Sequence, residues 1–330
     1  MQDRKSDHIS LALNNQTRTP EKDPRFFYEP MLWGHPDDSL PEIMLGGKTM
    51  KAPIWISSMT GGTPQARTIN HNLASVAAEF GLGMGLGSCH ILLKEEKHLP
   101  DFDLRSVIGD DLPFYANIGI AQVEEFLEKN DIQSLKDLIG LLKADGLIVH
   151  VNPLQEWLQL EGDRIKNPPL DSIKQLLEKV DFNIIVKEVG QGMGKQSLEA
   201  MLQLPLTAIE FGAFGGTNFA KIELMRNQYA NSELLEPLSY IGQSAEEMVI
   251  LVNQLIEEEV PVQTDNLIIS GGIRNFLDGY HLIKTSQMPS VYGMASTFLR
   301  HAGSDYKNLK QFTAGQIKGL QFAYSYLNVI

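Results

Sequence analysis

Residues 183–217 read NIIVKEVGQGMGKQSLEAMLQLPLTAIEFGAFGGT. A β-rich run (Asn183–Glu188) ends in a glycine-containing turn, an amphipathic stretch (Gln196–Leu202) follows, and a second β-rich run (Ala208–Gly212) ends in glycines again. This is one complete strand–helix–strand unit, the sequence form of parallel pairing, because a parallel neighbour needs a crossover connection. The same unit recurs in both directions. Strands are predicted at Ile54–Ser58, Gly83–Gly87, Phe114–Ile118, Gly146–Val151, Leu267–Ser270 and Val291–Ala295, which with the two above makes eight. Helices are predicted at Gln65–Phe80, Leu135–Lys143, Leu170–Val180, Ala245–Glu258 and Phe276–Lys284; in the first, Ile69, Leu73, Val76, Ala77 and Phe80 recur at helical spacing. Eight strands alternating with helices favour an α/β fold closed into a (β/α)8 TIM barrel over an open doubly wound sheet.

The 330 residues exceed the usual size of one domain, but closed barrels reach this length around one core, so a single domain over residues 1–330 is expected. Residues 1–50 form an N-terminal extension, and Glu223–Ser244 is a long insertion after strand six, of the kind that serves as a lid or binding loop. Asn308–Leu327, with Leu309, Phe312, Leu320, Phe322, Tyr324 and Leu327, is expected to pack on the core, with a subunit contact as the alternative. A net charge of −13 argues against nucleic-acid or anionic-membrane binding, which clusters Lys and Arg, while leaving room for a small anion held by local basic groups. The one cysteine, Cys89, excludes an intramolecular disulfide. The opening MQDRKSDHISLALNNQ lacks the apolar stretch of a secretory signal and no run is long enough to span a membrane, so a cytoplasmic location is expected.

In a barrel of this kind the chemistry sits at the C-terminal ends of the strands. Those ends read SSMTGG (57–62), GSCH (87–90), ANIG (116–119), HVNPLQE (150–156), VKEVGQGMG (186–194), FGAFGGTNFAKIE (211–223), SGGIR (270–274) and YGMASTF (292–298). Gly215, Gly216 and Thr217, with Arg274 on the next loop, offer backbone amides, a hydroxyl and a guanidinium to a phosphorylated cofactor. No G-x-x-x-x-G-K-[ST] loop, G-x-S-x-G elbow or H-E-x-x-H helix is present.

The ordered set RKSDH, SSMTGG, ANIG, HVNPLQE, VKEVGQGM, GGTNFAKIE and SGGIR resembles the type 2 isopentenyl-diphosphate delta-isomerases, from Arg4 to about Leu299. The resemblance implies an FMN-binding barrel that interconverts isopentenyl and dimethylallyl diphosphate with reduced FMN and Mg2+, NADPH as reductant, in a homotetramer or homo-octamer. It implies that Ser57, Ser58, Met59, Thr60, Ser88, Asn117, Lys187, Thr217, Gly272, Arg274, Ala295 and Ser296 surround FMN, with Lys187 stabilising the anionic reduced ring. It further implies that Arg4, Lys5, His8, Ser88, His90, Asn152 and Gln155 bind the diphosphate substrate, that Gln155 and His150 serve at the reacting centre, His150 as a phosphate contact rather than a proton shuttle, and that Glu156 holds Mg2+. One departure stands out: where the family usually shows Gly-Ser-Gln-Arg after strand two, this chain has Gly87, Ser88, Cys89 and His90, and a histidine offers fewer donors than an arginine.

Plainer readings stand beside these. Lys187 suits a core ion pair with Glu188 or Glu210, Arg4 and Lys5 a solvated terminus, Glu156 a helix start, His90 a surface helix start, and Cys89 a packed side chain. Two rival functions use the same barrel: an FMN-dependent hydroxy-acid oxidase or dehydrogenase, which resembles its relatives in a His-Gly-x-Arg element absent here, and a catalytically silent flavin- or phosphate-binding barrel.

Overall fold

The computed structural model describes residues 7–9, 11–37, 39–58, 60–61, 63–226 and 232–330. Eight parallel strands form a closed barrel: β1 (Ile54–Ile56), β2 (Gly83–Gly85), β3 (Phe114–Gly119), β4 (Gly146–Val151), β5 (Asn183–Glu188), β6 (Ala208–Glu210), β7 (Asn266–Ser270) and β8 (Ser290–Met294). Each pairs with the next in the chain, and β8 returns to β1 with Tyr292 opposite Ile54. The expected TIM barrel is the observed one.

The barrel interior is built in layers, because side chains alternate along each strand. Trp55, Tyr115, Ile148, Ile185, Ala208, Ile268 and Val291 form the lower layer, a buried apolar cluster. A hairpin, Ile43–Leu45 paired with Lys48–Met50, closes it from below and inserts Leu45 and Met50 into the same cluster. Its turn is Gly46–Gly47, both at positive φ (59° and 82°), which side chains rarely adopt. Lys48 Nζ reaches Asp145 Oδ1 at 2.6 Å, and Arg105 Nη2 reaches the other oxygen at 2.9 Å. Arg105 Nε also donates to Lys143 O and Nη1 to Gly109 O, so the charges of this end are paired, with Nη2 held to Asp145 by charge alone.

The predicted helices are found with ends shifted by a few residues, as at Ile132–Leu142, whose start is fixed by the Asp131 side chain accepting from Ser134 N. Helices Ile120–Glu128, Pro153–Leu158, Phe219–Arg226 and Ser296–Ala302 were not expected, because the motifs that open them read as loops. In the insertion after β6, a helix covers Phe219–Arg226, a short one Ser232–Leu235 and a 3-10 turn Glu236–Tyr240. The C-terminal helix Tyr306–Tyr326 packs on helices Pro64–Phe80, Phe276–Thr285 and Ser296–Ala302, burying Leu309 and Leu320, which is the core role expected of it. The chain then pairs Leu327–Val329 with Phe26–Tyr28. Among the described residues, no helix is long and apolar enough to cross a membrane.

Candidate active site

Two residues beyond the lower layer, each strand presents its next inward position: Ser57, Gly85, Asn117, His150, Lys187, Glu210, Ser270 and Gly293. The interior switches here from apolar to polar. All of these but Gly85 line a cavity of about 580 Å³ at the C-terminal end of the barrel. Its rim is made by the loops that follow, with Ser58, Ser88, Gln155, Thr217, Gly272, Arg274, Ala295 and Ser296 among its walls.

Lys187 Nζ stands 3.4 Å from Glu210 Oε1 and 3.5 Å from Ser58 O. Glu210 is fully buried, yet neither of its oxygens accepts a hydrogen bond, and the buried hydroxyls of Ser57 and Ser58 also lack partners. Buried polar groups are normally satisfied, so these four atoms call for a ligand that supplies donors and acceptors. A hydroxyl-bearing chain attached to a ring with N–H and C=O groups, as in FMN, fits that set. Glu188, on the opposite face of β5, accepts from Gly190 N, Gln191 N and Gly192 N at 2.7, 2.6 and 2.9 Å and so shapes the glycine turn. Burial raises its carboxyl to about 7 in spite of those bonds.

The late loops approach each other as bare backbone. Gly215 (φ 113°) and Gly272 (φ 75°) face one another so closely that a Cβ on Gly215 would lie 3.4 Å from Gly272 Cα. Gly271, at φ 97°, admits no side chain against Ala213. Arg274 and Arg300 line the cavity beside these loops, and neither side chain has a carboxylate partner among the described residues. Glycine backbone with two free guanidiniums suits a phosphate.

The β4 loop carries a second network. Asn152 Nδ2 donates to Gln155 Oε1 (3.2 Å) and to Glu156 Oε1 (2.8 Å), while Glu156 Oε2 accepts from Asp163 N at 2.7 Å. Burial, with Asp163 and Glu223 adding smaller repulsions, raises the Glu156 carboxyl above its ordinary range. Gln155 Nε2 donates to Glu223 Oε1 at 3.1 Å, and Arg226 pairs with Glu223 at 3.1 Å. Among the described residues no group of three His, Cys, Asp or Glu side chains is arranged to hold a metal. A single carboxylate with substrate oxygens and waters suffices for Mg2+, so Glu156 fits that cation only in company with an anionic ligand.

Of the residues singled out from sequence, Ser57, Ser58, Ser88, Asn117, His150, Gln155, Lys187, Thr217, Gly272, Arg274, Ala295 and Ser296 meet on this one cavity. Asn152 and Glu156 lie behind Gln155 in the hydrogen-bonded network. Thr60 packs its backbone on Gly87, and its carbonyl accepts from Asn70 Nδ2 at 3.3 Å. His90 opens a 3-10 turn away from the cavity wall, half-buried, its imidazole lowered by burial and by Lys94. His8 is exposed, and Arg4, Lys5 and Met59 lie outside the described residues. Cys89 is fully buried with its thiol pushed up to about 12 by burial, a packed side chain. Sequence reasoning missed Arg300, one helical turn beyond Ser296, and the reach of Glu223 back to Gln155.

No protein-family model matches the chain. Isopentenyl-diphosphate delta-isomerase of Rickettsia peacockii (strain Rustic) is 34% identical over 311 residues, covering 91% of this chain and 86% of the relative. The protein of the same description from Rickettsia africae (strain ESF-5) is 33% identical over 320 residues, covering 94% and 88%. Among solved structures, a mandelate oxidase variant with a monooxide FMN adduct superposes with a TM-score of 0.57 at 11% identity, over 93% of this chain and 88% of that one. The flavin-binding domain of baker's yeast flavocytochrome b2 does so with 0.62 at 9% identity, over 91% and 71%. Those two likenesses are of fold.

Proposed function

The chain belongs to the isopentenyl-diphosphate delta-isomerase family, the type 2 branch that its loop motifs resemble, and from that premise we propose that it interconverts isopentenyl and dimethylallyl diphosphate with reduced FMN and Mg2+. The observation that carries this reading is the polar upper layer of the barrel. It joins unsatisfied buried groups, a lysine and two glycine loops with free arginines in one cavity.

In this reading Ser57, Ser58, Ser88, Asn117, Lys187 and Thr217 hold FMN, and Gly272, Arg274, Ala295 and Ser296 its phosphate, with Met59 and Thr60 completing the β1 side. Bound reduced FMN supplies the acid and base for moving a proton between two carbons of the alkene, a change without net oxidation. Lys187 sets a positive charge against the cofactor's electron-rich ring. Gln155, held by Asn152 and Glu223, orients the reacting end of the substrate. Glu156 takes Mg2+, which neutralises the diphosphate, and His150, His90, Arg4, Lys5 and His8 complete the anion site, the segment ahead of the hairpin closing over it within a single domain while residues 43–50 plug the other end of the barrel. NADPH as reductant, a homotetramer or homo-octamer and a cytoplasmic location accompany the family reading.

The test is an anaerobic assay of the purified protein with reduced FMN and Mg2+, which should equilibrate the two C5 diphosphates. Colour without turnover would favour a silent binder, and oxygen consumption with lactate or glycolate would move the case to a hydroxy-acid oxidase. Glu156→Gln should lower Mg2+-dependent turnover by at least ~100-fold while the flavin spectrum stays unchanged; retained activity would remove its assigned role.

A further inference from the structure

The hydrogen bonds around His150 fix its protonation as well as its position. Asn117 Nδ2 donates to Leu86 O at 2.9 Å, and His150 Nδ1 lies 2.8 Å from Asn117 Oδ1. The reverse amide orientation would set two acceptor oxygens against each other, so the oxygen must face the imidazole. An amide oxygen only accepts, so Nδ1 carries the hydrogen. In the neutral ring Nε2 is then a bare lone pair.

Strand β3 shapes the space beside that second nitrogen too, since a Cβ on Gly119 would stand 2.9 Å from His150 Nε2 and would strike Gln122 Oε1. Asn117 and Gln122 on this side are neutral; the charged group that bears on the ring is Lys187, from β5. Burial, with that cation, pushes the imidazole down to about 4.

A neutral Nε2 and a phosphate oxygen are both acceptors and repel. We propose that Asn117 is a positioning residue that holds His150 in its Nδ1–H form, so that a diphosphate settles against Nε2 only with uptake of a proton there. The inference rests on the diphosphate reading above. With the proton added, the ring donates through both nitrogens, to Asn117 Oδ1 on one side and to the ligand on the other. The proton comes from solvent, so diphosphate affinity falls as pH rises.

Isothermal titration of isopentenyl diphosphate into the enzyme loaded with FMN and Mg2+, at pH 7 in buffers of different ionisation enthalpy, reads the protons taken up. The same titration of His150→Gln removes the protons exchanged by the diphosphate itself. Wild type should take up about one proton more than His150→Gln. Asn117→Asp, whose carboxylate charges the ring before the ligand arrives, should show about none of that excess. A merely structural Asn117 would change affinity and leave the proton count alone.

Equal counts in wild type and His150→Gln overturn the inference and spare the isomerase reading, whereas failure of the loaded wild type to bind isopentenyl diphosphate overturns both. If Asn117→Asp does not fold, 15N spectra of the histidine rings in the wild-type enzyme decide. A neutral Nδ1–H ring for His150 that becomes doubly protonated with ligand supports the inference, and a neutral Nε2–H ring overturns it.

Discussion

The lower and upper layers of the barrel interior are two residues apart on every strand and are built to opposite rules. Below, Trp55, Tyr115, Ile148, Ile185 and their neighbours fill the space, and the charges beneath them, Lys48, Arg105 and Asp145, meet at 2.6 and 2.9 Å. Above, Lys187 and Glu210 stand 3.4 Å apart without a hydrogen bond to Glu210, two serine hydroxyls are unsatisfied, and Arg274 and Arg300 lack carboxylate partners among the described residues. Trp55 Nε1 and Tyr115 Oη are unpaired below as well, but only above do the unpaired groups, Ser57, Ser58 and Glu210, line a cavity, and that combination marks the upper layer as the binding face.

That contrast predicts opposite mutational behaviour at the two ends. Replacing the upper pair together, Lys187→Met with Glu210→Leu, should leave a protein at least as stable as wild type in urea, because a poorly bonded buried pair contributes little beyond its own desolvation. Turnover in the anaerobic assay should fall by about 1000-fold, the scale of losing a preorganised charge. At the lower end, Asp145→Ala leaves the Arg105 guanidinium and Lys48 uncompensated and should cost about 3 kcal/mol of unfolding free energy while kcat stays near wild type. If the two sets of variants lose stability and turnover in the same proportion, the division into a structural and a binding layer is wrong.

A subtler balance lies at the edge of the upper layer. His150 titrates near 4 in the folded protein against an ordinary 6.5, so between those values the unfolded chain binds the extra proton and stability is lost as pH falls. Glu188 titrates near 7 against an ordinary 4.5, so in its window the folded chain binds the extra proton and stability is lost as pH rises. Over the shared range the two oppose each other. His150→Gln should therefore become more stable as pH is lowered from 7 to 4.5, and Glu188→Gln less stable from 6.5 towards 4. Urea midpoints measured across that range should show slopes of opposite sign, each at most ~1.4 kcal/mol per pH unit; parallel curves would dismiss the pairing.

The eight strands were legible because each couples a β-rich run to a glycine turn and a helix of clear periodicity. The phase of the strands was not legible. Strands of a parallel barrel are covered on both faces, so β3 is buried at all six positions and alternation gives no sign of which side faces in. Asn117, Lys187 and Glu210 could be found as residues near strand ends, but not as one ring. The closing hairpin was hidden by strands of three residues, although Gly46–Gly47 between two apolar segments is a hairpin signature. The contact of Gln155 with Glu223 spans 68 positions and no local spacing announces it.

The smallest expected effect tests how far the upper rim depends on the N-terminal segment. Asp278 accepts from the backbone N–H of Arg274 at 3.0 Å through one oxygen and from Arg25 Nη1 at 2.9 Å through the other. It thereby ties the β7 loop to a residue that precedes the barrel. Arg25 is about a third exposed and is also held by Asp23, so the tie is near the surface and screened. Arg25→Ala should lower stability by about 0.5 kcal/mol. It should weaken FMN binding by no more than ~3-fold, because Asp278 keeps its bond to the loop and a loss on that scale is about 0.65 kcal/mol. Asp278→Ala removes that bond and should weaken FMN binding more than Arg25→Ala does, with riboflavin, which lacks the phosphate, affected less than FMN. If Arg25→Ala alone matched Asp278→Ala in FMN titrations, the β7 loop would be ordered by the N-terminal segment rather than by its own helix, and the upper layer would owe its shape to a part of the chain outside the barrel.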